Sequence, residues 1–172
     1  MPLKLTTYYR GKDIPDLPGT NTFHSKELFH IYESTPGYTP LLIVATEEGR
    51  PVARLLAAIR KTKKWLPSSL VKQCVVYGAG EFLDTSLPAS KEKEEEIFGE
   101  MLEHLTQEAS RTCILIEFRN LDNSMFGYRF FRKNDFFPVN WLRVRNSLHS
   151  TQKAEDRFSP SRIRQIRKGL KN

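Results

Sequence analysis

The sequence is poor in cysteine and has no long apolar run. Its two cysteines, Cys74 and Cys113, are too few for the disulfide framework of small secreted proteins. No stretch approaches the ~20 apolar residues that a membrane-spanning helix needs, and the amino-terminal residues lack the apolar segment of a signal peptide. The composition therefore predicts a cytoplasmic protein with no transmembrane segment.

Histidine is also scarce, and the motifs of common metal and nucleophilic sites are absent. The four histidines, at positions 24, 30, 104 and 149, show no metal-ligand spacing, and none is close in sequence to a cysteine. The sequence contains neither a P-loop nor a G-x-S-x-G motif. We therefore predict no metal site, and we expect both cysteines to be buried thiols.

Positive charge is in excess but is unevenly distributed. The net charge is +7, and residues 151–172 contain seven Lys or Arg and two acidic residues, so this tail carries +5 and the first 150 residues only +2. A domain that binds nucleic acid across its surface needs a basic surface throughout. The nearly neutral body argues against that class and directs attention to the tail.

Apolar patterns and helix caps predict alternating strands and helices. We predict strands at residues 3–9, 40–46, 51–60, 71–77, 112–118 and 140–148, and helices at 26–34, 90–111 and 125–133. Ser90 is expected to cap the longest helix, whose first turns are rich in glutamate. This order predicts an α/β fold with one mixed, mostly antiparallel sheet flanked by helices.

The tail has the pattern of a helix that begins near the end of the sequence. Ser159 suits the N-cap and Pro160 the first helical position. Ile163, Ile166 and Leu170 share one face, which needs a packing partner. We therefore predict one domain over residues 1–150, and a basic linker over residues 151–172 that includes the first helix of a missing second domain.

Several short segments resemble motifs of a known superfamily. Residues 126–137, Phe-Gly-Tyr-Arg-Phe-Phe-Arg-Lys-Asn-Asp-Phe-Phe, resemble the late helix and aromatic turn of the GNAT superfamily of N-acetyltransferases, with Asp135 at the usual glycine position. Other segments are more similar to one branch, the FemABX-like peptidoglycan-bridge aminoacyltransferases. These are residues 23–29, 41–56, 77–80, 116–120 and 162–168.

The resemblance implies a fold and a place in a larger enzyme. FemABX-like proteins have two GNAT-like domains in tandem, and this chain resembles the first domain and the start of the second. The resemblance thus implies a GNAT-like, non-catalytic amino-terminal half of an amino-acyl or acyl transferase. Such an enzyme forms an amide on a peptidoglycan precursor or a similar amine acceptor, and its missing carboxyl-terminal GNAT-like domain is the expected partner.

The junction before the long helix does not suit coenzyme A. Backbone amides at a helix N-terminus can hold a pyrophosphate, and the superfamily places glycines there. Here residues 80–96 lack those glycines and put Glu92, Glu94, Glu95 and Glu96 in the first turns. We therefore expect no cofactor in this domain. An acyl-CoA or aminoacyl-tRNA donor would belong to the full-length protein.

Candidate site residues are few. Glu117 is a candidate general base if its pKa is raised, or else one half of an ion pair with Arg119. Arg119 and Asn120 are candidates for orienting a substrate. The cationic candidates fall in two segments and are, as an alternative, simply solvated surface charges. Those before Trp65 are expected to hold an anionic head group or phosphate: Arg60, Lys61, Lys63 and Lys64. Those of the tail are expected to contact tRNA or the diphosphate of a nucleotide- or lipid-linked precursor: Arg164, Arg167, Lys168 and Lys171.

Two further functions remain open at this point. The first is an autonomous GNAT N-acetyltransferase that uses acetyl-CoA despite the degenerate loop. The second is a GNAT-shaped module that binds RNA or another partner through its basic tail. The near-neutral body and the acidic helix start favour the non-catalytic half of a FemABX-like transferase over both.

Overall fold

The computed structural model describes residues 3–61, 72–83, 90–119, 121, 123, 125–139 and 159–169. The chain divides into two compact units, Met1–Phe137 and Pro138–Asn172. The predicted site residues Lys63, Lys64, Asn120 and Lys171 and the predicted strand at 140–148 lie outside the described residues. None of the described helices has the length and apolar character needed to cross a bilayer.

The first unit is built on a six-stranded mixed sheet. Its strands are β1 (Lys4–Tyr8), β2 (Tyr38–Glu47), β3 (Arg50–Lys61), β4 (Lys72–Tyr77), β5 (Glu81–Phe82) and β6 (Leu115–Arg119). The order is β1-β2-β3-β4-β6, and the short β5 pairs with β3. Every pairing is antiparallel except that of β4 with β6.

A tight hairpin joins the two longest strands. Glu48 and Gly49 have φ angles of 52° and 78°. Two consecutive left-handed residues are typical of two-residue hairpin turns, because the twist of such a turn matches the right-handed twist of the strands on either side. Both strands extend beyond their predicted ends, and their central residues are buried on both faces. The hairpin therefore forms the middle of the sheet.

The two faces of the sheet are covered by different helices. α2 (Lys91–Ser110) packs Ile97, Met101 and Leu105 against one face, where Cys74 and Val76 of β4 are also buried. On the other face α1 (Lys26–Ser34) buries Phe29 against residues of β2 and β3. The side chains of Ser25 and Ser90 cap these helices by accepting from Leu28 N–H and Lys93 N–H, as such caps do.

A short helix, α3 (Tyr128–Lys133), joins the α2 face through aromatic contacts. Phe131 contacts Phe98 of α2 and Phe118 of β6, with ring centroids 5.3 Å and 5.0 Å apart. Asp135 follows the helix with a φ of 61°, so the position where the superfamily has glycine is left-handed here too. Asp tolerates that region better than most residues.

The predicted α/β class and the mixed, mostly antiparallel sheet with flanking helices are confirmed. The strand β5 was not predicted, because it has only two residues and follows Gly80. β6 begins at Leu115 instead of residue 112, since Thr112 and Cys113 N–H still donate to Ala109 C=O at the end of α2.

The second unit contributes one described helix, α4 (Pro160–Gly169), at the predicted place. Ile163 N–H donates to Ser159 C=O at 3.1 Å, as expected for a helix that starts there.

Candidate functional site

Glu117 and Arg119 lie on the face of the sheet opposite α2. Residues of β6 alternate, so Ile116 and Phe118 pack toward the α2 core while Glu117 and Arg119 point to the other side. The parallel register aligns Glu117 with Val75 and Arg119 with Tyr77 of β4. Polar residues of three adjacent strands form what we call the polar strip: Arg60, Gln73, Tyr77, Glu117 and Arg119.

A bidentate ion pair occupies the centre of the polar strip. Arg119 Nε lies 2.8 Å from Glu117 Oε1, and Arg119 Nη2 lies 2.9 Å from Oε2. Gln73 Nε2 also donates to Oε2, and Arg60 Nη2 lies 3.4 Å from Gln73 Oε1. The hydrogen bond to Glu117 raises the pKa of Arg119. The ion pair that the sequence left open for Glu117 is therefore present, and catalysis by Glu117 stays a prediction.

An aromatic pair borders the polar strip. Phe23 stacks on Tyr77 with ring centroids 5.7 Å apart and planes inclined by 20°, and the Phe23 side chain is 49% exposed. A partly exposed aromatic face beside an arginine offers a flat apolar surface with a cation next to it. The sequence analysis missed this pair, because its two members come from segments far apart in the chain.

Residues 78–80 lie between β4 and β5 and form a bulge beside β3, with which both strands pair. This bulge is one end of the site. Gly78 and Gly80 have φ angles of 80° and 93°, and the chain rejoins β3 at Glu81. Gly78 N–H donates to Arg119 C=O at 2.7 Å, so β4 and β6 stay paired up to the bulge. His24 is fully buried beneath it, and Leu56 N–H donates to its Nδ1 at 3.0 Å.

A buried ion pair fixes the other side of the bulge. Arg54 Nε and Nη2 lie 2.7 Å and 2.6 Å from Glu81 Oε2, and Oε1 accepts from Thr20 N–H and Asn21 N–H. Burial alone would raise the pKa of Glu81, but the hydrogen bonds from Asn21, Arg54 and Thr20 outweigh it and lower the pKa. The pair ties the loop at residues 19–21 to the sheet.

The amino end of α2 carries both lysines and carboxylates, which alternate from Lys91 to Glu94. Ser90 Oγ accepts from Lys93 N–H, and Glu92 and Glu94 lie in the first turn. Glu47 of the hairpin approaches the same turn and pairs with Lys93 Nζ at 2.6 Å. Negative side chains suit a helix N-terminus electrostatically, but they repel a phosphate group at the same place.

Of the remaining predicted site residues, Lys61 is exposed at the end of β3 and the others lie in the second unit. Arg164, Arg167 and Lys168 of α4 are all exposed. They form a basic surface on that helix.

The thiols and the acidic groups suggest no further chemistry. Cys74 is buried as predicted, and burial raises the pKa of its thiol to about 12, which keeps it protonated and unreactive. Cys113 is only partly buried, contrary to the prediction, and desolvation raises the pKa of its thiol as well. Over the described ranges, no cluster of three or more His, Cys, Asp or Glu residues is arranged to hold a metal ion.

Several solved structures are similar to this chain. A transcriptional regulator from Bacillus halodurans C-125 is 15% identical, covers 70% of this chain and 73% of its own, and has a TM-score of 0.48. An aminoglycoside acetyltransferase from an uncultured soil metagenomic sample is 12% identical, with coverages of 87% and 97% and a TM-score of 0.43. A ribosomal-protein-alanine N-acetyltransferase from Brucella melitensis biovar Abortus 2308 is 9% identical, with coverages of 86% and 100% and a TM-score of 0.45.

No family model and no curated protein sequence matches the chain. The fold itself is a mixed sheet with α1 on one face and α2 and α3 on the other. The likeness to the solved structures concerns this fold alone.

Proposed function

We propose that this chain is a GNAT-like domain of an amide-forming acyltransferase. The domain binds the acceptor substrate and does not itself bind acyl-coenzyme A. In this proposal it acts as the amino-terminal half of a FemABX-like enzyme, and a second GNAT-like domain holds the acyl donor. The acceptor amine attacks the carbonyl carbon of the donor and a C–N bond forms. The C–S bond of a thioester or the C–O bond of an aminoacyl ester breaks, and a proton from the amine ends on the departing thiol or tRNA hydroxyl.

The observation that carries the proposal is the amino end of α2, which is capped by Ser90 and has glutamates in its first turn. A coenzyme A pyrophosphate needs free backbone amides and low negative charge at a helix N-terminus. Here Ser90 already accepts from one of those amides, and Glu92 and Glu94 lie in the same turn, where Lys93 pairs with Glu47. This arrangement supports a domain whose contribution is not donor binding.

The polar strip is a more suitable surface for binding the acceptor substrate. The polar strip offers a guanidinium and a carboxylate at Arg119 and Glu117, with the partly exposed Phe23 and Tyr77 rings beside them. Such a combination can bind an anionic, partly apolar molecule such as a nucleotide-linked peptidoglycan precursor. Arg119 Nη1, which the bidentate pair with Glu117 does not use, is the group that we expect to contact its negative charge.

Isothermal titration with acetyl-CoA tests the first part of the proposal. We expect no binding at micromolar concentrations. Micromolar binding would overturn the proposal and would favour an autonomous N-acetyltransferase. Its dependence on the Glu92→Gln and Glu94→Gln variants would then show whether the helix terminus is involved.

Titration with a nucleotide-linked peptidoglycan precursor tests the second part. Replacing Arg119 by Gln is expected to weaken binding roughly ten- to hundredfold, because a charge-assisted hydrogen bond contributes roughly 1.5–3 kcal/mol. Arg50→Gln, at the exposed hairpin turn, is the matched control and is expected to bind like the parent. Equal affinities for the two variants would contradict a role for the polar strip.

A further inference from the structure

A cavity of about 250 Å³ lies on the α2 face of the sheet, at the end where β4 begins. Leu41, Ile59 and Cys74 pack in the core on this face, and alternation along β4 places Lys72 on the same face as Cys74. We call this space the strand-end cavity. The lining side chains that matter here come from three strands, the residue after β1 and the end of α2: Tyr9, Leu41, Ile59, Lys72, Glu108 and Arg111.

Two aliphatic side chains provide the apolar part of the strand-end cavity. Leu41 of β2 is 2% exposed, and Ile59 of β3 is partly buried against the core. The two strands are paired neighbours in the sheet, so these side chains form one apolar surface. A ligand with an apolar body would remove part of this surface from water, which favours binding.

The carboxylate in the strand-end cavity, Glu108, already has two partners. Tyr9 Oη donates to Glu108 Oε2 at 2.5 Å, and Arg111 Nη1 lies 3.3 Å from Oε1. The hydrogen bond to Glu108 raises the pKa of Tyr9, so the hydroxyl stays protonated and continues to donate. The negative charge of Glu108 is thus balanced by Arg111.

Lys72 supplies the remaining charge of the strand-end cavity. It is partly buried, and its C=O accepts from Ile114 N–H at 3.0 Å, which fixes its backbone at the start of β4. None of the ion pairs between described residues includes its ammonium group. With two cations and one carboxylate among its lining residues, the cavity has a net charge of +1.

We propose that the strand-end cavity binds a small carboxylate ligand with an apolar body. The ligand carboxylate accepts a charge-assisted hydrogen bond from Lys72 Nζ, and the apolar body lies on Leu41 and Ile59. A monoanion matches the net charge of +1, whereas a phosphate group carries close to two negative charges and would meet Glu108 as well. The cavity is smaller than the roughly 300–1,000 Å³ of sites for drug-sized ligands, which suits a short branched acid.

The site is independent of the proposed acyltransferase function, because its residues belong neither to the polar strip nor to the amino end of α2. Its ligand would therefore be bound in addition to any acceptor substrate.

The first experiment uses 4-methylpentanoate as the probe. The full chain is titrated calorimetrically at constant ionic strength, with chloride replacing the carboxylate in the reference. We expect saturable binding that weakens roughly ten- to hundredfold in Lys72→Gln, for the loss of one charged contact. The matched control is Lys61→Gln, because Lys61 is directly opposite Lys72 in the register but does not line the cavity. Equal weakening in both variants would indicate general attraction to a positive surface and would overturn the proposal.

Two smaller changes to the probe test the two halves of the recognition. Acetate keeps the carboxylate and lacks the apolar body, and 3-methylbutylamine keeps an apolar body and carries the opposite charge. We expect each of them to bind at least about tenfold more weakly than 4-methylpentanoate. Equally tight binding of either compound would overturn the proposal.

Thermal unfolding separates lost binding from lost folding. Without ligand, Lys72→Gln is expected to unfold at the same temperature as the parent or higher, because like charges opposite each other on antiparallel strands are destabilising and the repulsion from Lys61 is removed. With 4-methylpentanoate, the parent gains thermal stability by linkage and Lys72→Gln gains less. Equal gains in the parent and in Lys72→Gln would contradict a contact with Lys72.

The source of the carboxylate is distinguished with leucine, which has the carbon skeleton of 4-methylpentanoate and an added ammonium group. Tighter binding of leucine identifies an amino acid as the ligand, since the Glu108 carboxylate has further acceptor positions for an ammonium group. Tighter binding of 4-methylpentanoate identifies a simple carboxylic acid. Absence of saturable binding of both compounds to the parent would overturn the proposal.

Discussion

At the scale of single residues, Gly99 decides how closely α3 approaches α2. A Cβ atom at this position would lie 2.3 Å from Phe130 Cδ1 and 2.4 Å from Cε1. Phe130 precedes Phe131, whose ring packs between Phe98 and Phe118. The absence of a side chain at Gly99 therefore allows the aromatic contacts that attach α3 to the rest of the first unit.

We predict that Gly99→Ala destabilises the protein by about 1–3 kcal/mol, the usual range for overpacking a well-packed site. In a helix interior without such a contact, the same change stabilises by roughly 0.5–1 kcal/mol, so the sign of the effect is diagnostic. Urea denaturation measures it. Glu100→Ala, on the exposed surface of the same helix, is the control, and a gain in stability for Gly99→Ala would contradict the close contact.

At the scale of secondary-structure elements, the Arg54–Glu81 pair joins β3, β5 and the loop before α1. Only 5% of the Arg54 side chain and 11% of the Glu81 side chain are exposed. Removing one member of a buried pair leaves the other charge without compensation, at a cost of about 3–5 kcal/mol. Glu81 also accepts from Thr20 N–H and Asn21 N–H, so its loss frees the loop as well.

We therefore predict that Arg54→Met and Glu81→Leu each lower the free energy of unfolding by about 3–5 kcal/mol. The double variant is expected to lose less than the sum of the two, because it leaves no unpaired charge in the interior. Urea denaturation of the four proteins gives the coupling free energy. Additive losses would mean that the two side chains contribute separately and not as a pair.

The elements themselves were largely predictable from local sequence signals. Ser25 and Ser90 mark the starts of α1 and α2, and Gly49 marks the hairpin, because caps and turns depend on neighbouring residues. β5 and the bulge before it were not predicted, because two residues give no periodic pattern and their pairing with β3 is non-local.

The site was predictable only within one strand. Alternation along β6 places Glu117 and Arg119 on the same face, and the sequence predicted that pair as one of two possibilities. Gln73 and Tyr77 join them through the parallel register of β4 with β6. A register between distant strands is set by the packing of the whole sheet, so no local pattern could indicate it.

At the scale of the whole molecule, the buried His24 makes the stability of the first unit depend on pH. Burial lowers the pKa of His24 from 6.5 to about 4, and the unfolded chain keeps a value near 6.5. Between these values the unfolded state binds more protons than the folded state, so stability is highest above the upper value and is lost as the pH falls toward about 4. Glu81, whose pKa is lowered in the folded state, adds a further loss below the ordinary glutamate pKa of 4.5.

We predict that the free energy of unfolding falls between pH 6.5 and about 4, with a limiting slope for one proton of about 1.4 kcal/mol per pH unit. Urea denaturation at a series of pH values measures the slope. His24→Gln is expected to remove most of it, because glutamine can still accept from Leu56 N–H but does not titrate. His30→Gln, whose parent side chain is exposed, is expected to retain the slope. If His24→Gln kept the full slope as well, the acid sensitivity would have to arise from the carboxylates, and the buried neutral imidazole would not be the group that couples this fold to pH.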